Sequence, residues 1–440
     1  MIPDWSSSGT GAAASPWQQQ GIAAPAAPIP TTVPGPTLRV IWISPFLLPV
    51  LFIWAICYDL FKSELPPGID QPLKLRFYHS LLVMTAVLGR IFEKLGICSD
   101  ISLLRLILDG IPPPWRDSKL LISDLKFAEV PVRVYQAKAP SVGQRRGVLY
   151  FHGGAGTLGS INAFERVCRY IARETDSVVV SVGYRLAPEY LYPSQYWDCL
   201  NATIHFMRNV EDYQVDPARI ILCGDSCGAN FATAICQILV SRTDLPRIRA
   251  QVLIYPGLQG LDFYLPSYQQ NRSVPILFQD RVVYCCLRYL SKDTSVVEDV
   301  LKSSHVPEDM KLKYNKWISA DNIPEEFKIR GYKPQKPLSY KYDVHEVIKQ
   351  MLEVMFSPLL AEDAIVSQLP ESYILTCEFD VLRDDGLLYK KRLEDNGVRV
   401  TWYHNEDGFH GVLTLFGYGI FSFPSAKKIL DNTVNFIKKM

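Results

Sequence analysis

Hydrophobic and polar positions divide the chain into three regimes. The first is Val40 to Tyr58, VIWISPFLLPVLFIWAICY, an uncharged run held between Arg39 and Asp59. A helix of about 20 apolar residues crosses a ~30 Å hydrocarbon core. Trp42, Trp54 and Tyr58 suit the interfaces, and Pro45 and Pro49 are tolerated in a membrane helix more readily than in a soluble one. A buried core helix is the weaker reading, because a helix that long ordinarily keeps a polar face. A cleaved signal peptide fits less well still, since no basic region precedes the run. The pattern predicts a single anchor over residues 38–60, in contact with membrane lipid.

The second regime, Phe77 to Phe92, is apolar but carries His79 and Arg90 and is interrupted by Gly89. It reads as an amphipathic helix, membrane-associated or facing a substrate. From about Val130 the third regime begins. Short β-branched or aromatic runs (VPVRVYQA, GVLYF, SVVVSVGY, RIILCG, AQVLIYP, SYILTCEFD, RVTWYH) are separated by helical segments such as NAFERVCRYIARE, CGANFATAICQILV and GLLYKKRLEDNG. Near-continuous apolar strands with crossover helices predict an α/β protein with a mostly parallel, doubly wound sheet. Residues from about Leu258 to Met355 break the alternation and read as an insertion between strands.

Composition changes this picture little. Across 440 residues, 46 Lys and Arg stand against 45 Asp and Glu, which leaves no basic surplus for phosphates and so no nucleic-acid partner. The ten Cys are not at metal-ligand spacing, and no metal site is expected. The first 37 residues hold seven Ala, seven Pro and one charge, Asp4, a composition that predicts a disordered or polyproline-like lead. Two sequons, at Asn201 and Asn271, are glycosylation candidates and favour a lumenal body. Lys62, Lys74 and Arg76 beyond the apolar run, against Arg39 alone before it, favour a cytoplasmic one.

The chemistry gathers at the carboxyl ends of predicted strands, where open α/β sheets place their sites. Gly224-Asp225-Ser226-Cys227-Gly228 fits G-x-S-x-G, with a strand before it and a helix after it. Such a turn holds a serine in a strained backbone and exposes its hydroxyl, so Ser226 is the expected nucleophile and the Cys227 amide an oxyanion donor. Upstream, His152-Gly153-Gly154 follows a strand and resembles the H-G-G turn whose amides complete an oxyanion hole, which assigns Gly153 and Gly154 as donors and His152 to the motif. A strand ending at Asp380 and a loop carrying His410 complete the order Ser, Asp, His found in α/β-hydrolases. His410 is the expected base and Asp380 its orienting acid. His404 is a rival base but still lies on its strand. Asp384 and Asp385 compete for the acid but read as charges at a helix N-terminus, with Arg383 as a local partner. Such a triad generates its own nucleophile and needs no cofactor.

Together HGGAGTLGS, VGYRLAPE, GDSCGAN, CEFDVLRDDG and DGFHG resemble the hormone-sensitive-lipase branch of the α/β-hydrolases. Within it, IFEKLGICS, DNIPEEFK and LLYKKRLEDNGVRVTWYH resemble the arylacetamide deacetylase-like proteins. The resemblance runs from about Leu38 to the C-terminus. It implies a signal-anchored, single-pass protein of the endoplasmic reticulum membrane with its catalytic body in the lumen. It also implies a catalytic domain over residues 127–440, capped by residues 61–126 and by the 258–355 insertion. Three departures stand out: Cys227 replaces the usual alanine after the nucleophile, Ala155 replaces the last glycine of H-G-G-G, and Thr157 stands where some relatives carry a cysteine, so that any disulfide to Cys377 there would be lost. The expected function is hydrolysis of lipophilic carboxylic esters or acetyl amides through an acyl-enzyme. A non-catalytic receptor for lipophilic ligands on the same scaffold is the alternative.

Overall fold

A computed structural model describes residues 47–110, 117–334 and 339–440. The Ala/Pro-rich lead and the first part of the apolar run lie outside the described residues. The remainder of that run forms helix α1, Leu47–Lys62. It continues into α2, Pro72–Lys94, and α3, Asp100–Gly110. Among the described helices, α2 is the one long and apolar enough to cross a membrane by length and composition. It is nevertheless built into the body. Buried Asp59 near the end of α1 accepts from Arg76 Nη1 at 2.9 Å and pairs with His79 Nδ1, both on α2.

The sheet has eight strands: β1 Leu120–Phe127, β2 Val130–Ala137, β3 Arg145–Phe151, β4 Val178–Val182, β5 Val215–Asp225, β6 Ala250–Ile254, β7 Glu371–Phe379 and β8 Val400–Phe409. Their order is β1-β2-β4-β3-β5-β6-β7-β8, with β1/β2 and β2/β4 antiparallel and the other pairs parallel. β4 and β6 are buried at every position, as strands covered on both faces must be. The expected parallel sheet is present, and the seven anticipated strands all lie in it.

β1 is the exception. Residues 120–126, expected in the N-terminal cap, belong to the sheet instead. β1 is an edge strand with exposed polar positions, and Asp124 pairs across to Arg133 of β2 at 2.6 Å. A half-solvated edge carries no continuous apolar run for a sequence reading to detect. On the two faces of the sheet pack α4, Glu165–Thr175, and α5, Ser194–Arg208, with α6, Cys227–Leu239, leaving the end of β5. Helices Arg383–Asp395 and Pro424–Lys439 follow β7 and β8. The first ends as its Asn-Gly predicts: Gly397 takes φ +77° and Val398 N bonds back to Leu393 O at 2.9 Å. Between β6 and β7 the chain leaves the sheet for a series of short helices, among them Gln279–Tyr289.

Candidate active site

β3, β5, β7 and β8 run parallel, so their carboxyl ends deliver His152, Ser226, Asp380 and His410 to one edge of the sheet. At the β5–α6 junction Ser226 adopts φ 55°, ψ −122°, a conformation that costs energy for a residue with a Cβ. The turn is possible because the chain passes very close to itself there. A Cβ on Gly228 would lie 2.0 Å from the Phe151 carbonyl oxygen of β3. The serine hydroxyl is thereby lifted out of the sheet and turned toward the loop after β8.

Ser226 Oγ lies 2.9 Å from His410 Nε2, and His410 Nδ1 lies 2.8 Å from Asp380 Oδ2. Asp380 is 1% exposed, and its second carboxylate oxygen accepts the Leu382 amide at 2.8 Å. With both oxygens engaged, the carboxylate has a single orientation to offer the imidazole. The edge of Tyr255 packs on the His410 ring at 5.0 Å and limits its rotation. The structure thus brings together all three residues expected from the motif order. His404 stays on β8, hydrogen-bonded through Nδ1 to Thr376 at 2.9 Å and facing Glu378 at 3.2 Å, away from Ser226.

The oxyanion turn is arranged differently from the expectation. Gly153 N donates to Asp225 Oδ1 at 2.8 Å, so this amide is already used and is not offered to a ligand. Asp225 is buried and also accepts from Tyr150 at 2.8 Å and from Tyr255 at 3.1 Å; burial pushes its carboxyl up to about 6. The Gly153 assignment is therefore corrected. Gly154, Ala155 and Cys227, at the start of α6, line the cavity, and their amides are the remaining candidate donors. Ala155 takes φ 54°, and a Cβ on Gly154 would lie 2.2 Å from the Leu158 carbonyl oxygen, so the turn depends on Gly154. The Cys227 thiol packs against the amides of Gly156 and Ala155; burial pushes it up to about 12, so it is a neutral filler behind the turn. His152 stacks on Tyr184 at 4.2 Å between rings, and burial holds it down to about 4, so it is a neutral support rather than a base.

Two further expectations change. Asn271 is fully buried: its amide donates to the carbonyls of Glu378 at 3.1 Å and Asp380 at 2.9 Å, and its oxygen accepts from Arg330 at 3.0 Å. The folded chain leaves no room for a glycan there, and Asn271 instead fixes the loop that carries the acid. Asn201, on α5, is exposed. Asp384 and Asp385 are buried rather than solvated helix-end charges, although Arg383 does pair with Asp384 at 2.9 Å. Asp385 accepts from Leu258 N at 2.8 Å, Gln259 at 3.1 Å and Tyr268 at 3.2 Å, and Asp384 from Ser267 N at 2.7 Å. Both tie the β6–β7 excursion to the sheet. Sequence reasoning missed Asp225, Tyr255 and Asn271 as supports; the one available signal was the acidic residue inside G-x-S-x-G.

Above Ser226 lies a cavity of about 300 Å³. Its walls are mostly apolar: Tyr78 and Leu82 from α2, Leu104 from α3, and Tyr289, Met355 and Phe356 from the β6–β7 excursion. An apolar chamber with a few convergent polar groups is the usual form of a small-molecule site.

This strand order, with a serine on the sharp turn after its fifth strand, defines an α/β-hydrolase. A family model described as an alpha/beta hydrolase fold matches residues 148–311 and 335–414. Human Arylacetamide deacetylase-like 4 is 45% identical over 92% of this chain and 99% of its own. Mouse Arylacetamide deacetylase-like 3 is 47% identical over 88% of this chain and 95% of its own. Bovine arylacetamide deacetylase is 36% identical over 79% and 89%. Among solved structures, a hyperthermophilic esterase from the archaeon Pyrobaculum calidifontis superposes with a TM-score of 0.57 at 24% identity, covering 84% of this chain and 99% of its own, a likeness of fold. The chain belongs to the arylacetamide deacetylase-like family of α/β-hydrolases.

Proposed function

We propose that the protein is a membrane-anchored serine hydrolase that cleaves lipophilic carboxylic esters or acetyl amides. The observation that carries this reading is the unbroken relay from Ser226 through His410 to Asp380, with bonds of 2.9 and 2.8 Å. Ser226 Oγ attacks the substrate carbonyl while His410 Nε2 takes its proton, and Asp380 stabilises the imidazolium. The developing oxyanion is met by the amides of Gly154, Ala155 and Cys227. His410 returns the proton to the leaving alcohol or amine, and water then releases the acid from Ser226 by the same steps reversed. The apolar cavity walls favour lipophilic substrates, and relatives named as arylacetamide deacetylases extend the range to acetyl amides.

Residues 38–60 anchor the chain as a single pass in the endoplasmic reticulum membrane, with residues beyond them in the lumen. The uncharged run and the family resemblance support this placement, and the exposed sequon at Asn201 is compatible with it. Helices α2 and α3 and the β6–β7 excursion act as a cap over the site. A fluorophosphonate probe applied to the purified full-length protein tests the chemistry. Labelling at Ser226 that disappears in Ser226→Ala is the expected result, and equal labelling of the variant overturns it.

A further inference from the structure

The same helix that lines the cavity also presents an exposed apolar flank. On α2, Tyr78, Leu82 and Ala86 recur every four residues and share the face turned to the cavity. One residue back, Leu73 and Phe77 lie on a flank open to solvent, Leu73 at 82% exposure. Phe77 meets Phe52 of α1 edge-on at 5.7 Å between rings, which makes this flank continuous with the exposed apolar surface of α1, including Ile53. On its other side α2 holds the segment after β8: Lys74 Nζ donates to the Ser422 carbonyl at 3.0 Å and lies over the Phe423 ring. That segment exposes Ile420 at 82% and Phe421 at 49%, and begins with Gly411 and Thr414 in the cavity wall.

We propose that the Leu73–Phe77 flank and Ile420–Phe421, continuous with the anchor helix α1, face the lipid bilayer, and that ester substrate enters from the bilayer between α2 and the 411–423 segment. The proposal rests on the anchor reading given above. The occupant follows from the sequence: residues 40–46, immediately before the described part of α1, continue the same uncharged run. A helix leading out of a membrane, fastened to α2 through Asp59 with Arg76 and His79, holds α2 close to the surface that the run enters. Exposed Leu, Phe and Ile then lie where their removal from water is favourable. Both walls of the passage, α2 and the 411–423 segment, have one side toward the bilayer and the other on the cavity beside Ser226.

The test uses the full chain reconstituted in phosphatidylcholine vesicles, with a long-chain ester dissolved in the bilayer and p-nitrophenyl acetate in water. Ile420→Asp with Phe421→Asp is compared with the milder Ile420→Gln with Phe421→Gln; neither side chain is in the catalytic or cavity machinery. Both variants are expected to resist alkaline carbonate extraction as wild type does and to keep wild-type kcat/KM on p-nitrophenyl acetate. KM for the bilayer ester is expected to rise about tenfold or more, the scale of losing apolar side chains from a lipid contact. Unchanged KM on the bilayer ester overturns the proposal, as does an equal loss on both esters in both variants. Extraction of the wild type by carbonate would sink the anchor reading alone: the proposal then stands if wild type still floats with vesicles and the variants do not, and falls if none floats.

Discussion

Gly153 N donates to Asp225 Oδ1 at 2.8 Å, a bond between the turn after β3 and the residue immediately before Ser226, the proposed nucleophile. It joins the two halves of the proposed oxyanion hole through a buried carboxylate, with Tyr150 and Tyr255 completing its hydrogen bonds. Replacing Asp225 with Ala should free the Gly153 amide and let Gly154 and Ala155 drift from the position an oxyanion would occupy. Misplacing one such donor costs on the order of 10²-fold in kcat. Steady-state kinetics on a soluble ester should show that loss in kcat with KM nearly constant, in a variant whose circular dichroism matches wild type. A loss confined to KM would contradict the role.

The relay predicts different outcomes for Asp380 and for the rival histidine His404. Asp380→Asn should leave the imidazole in the wrong tautomer and lower kcat by about 10⁴-fold, the scale seen when a triad acid is made an amide. His404→Gln, which breaks only bonds to Thr376 and Glu378, should keep kcat within a few-fold of wild type. Parallel rates of fluorophosphonate labelling check both. Equal sensitivity of the two would refute the assignment of the base.

Asn271 should behave as a structural residue and not as a glycan acceptor. Asn271→Ala removes two bonds to buried carbonyls and leaves Arg330 without one acceptor. Such losses destabilise by about 1–3 kcal/mol each when a buried partner is left unsatisfied, and the acid loop loosens with them. A lower Tm together with reduced kcat is the expected pair of changes. In a membrane preparation, endoglycosidase should shift wild type by one glycan, and Asn201→Gln should abolish that shift.

Asp385 couples the β6–β7 excursion to pH. Burial pushes its carboxyl up to about 7, far above the ordinary carboxylate range. A group raised in the folded state is protonated there over a range in which the unfolded chain has already ionised, so it adds stability at low pH that is lost as pH rises through about 7. Asp385→Asn cannot ionise. The variant loses hydrogen-bond geometry at every pH, but its Tm deficit against wild type should shrink between pH values of roughly 5 and 8. A deficit independent of pH would show that the carboxyl does not titrate there.

Much of the architecture was legible from the chain. Strand–helix alternation requires only local periodicity and apolar runs, which is why seven strands, their largely parallel arrangement and the helix ending at Gly397 could be read in advance. β1 escaped because its exposed edge strand places Ser123, Asp124 and Lys126 among apolar residues and keeps no continuous apolar run. Ser226, Asp380 and His410 were legible because each follows a strand in an order that restricts which side chains can meet.

Tertiary structure decided which atoms are already engaged. Gly153 and Gly154 are equivalent in the motif, yet the fold gives the Gly153 amide to Asp225 and leaves Gly154 as the candidate donor in the cavity wall. Asn271 matches a sequon in the linear chain, but packing turns it into a brace for the acid loop; Asp384 and Asp385 look like helix-end charges and are buried ties. Residue types and their order determine which elements form and which chemistry they can carry, because those depend on near neighbours along the chain. Burial and hydrogen-bond partnership depend on segments far apart in sequence, and only their packing assigns each donor and carboxylate to its partner.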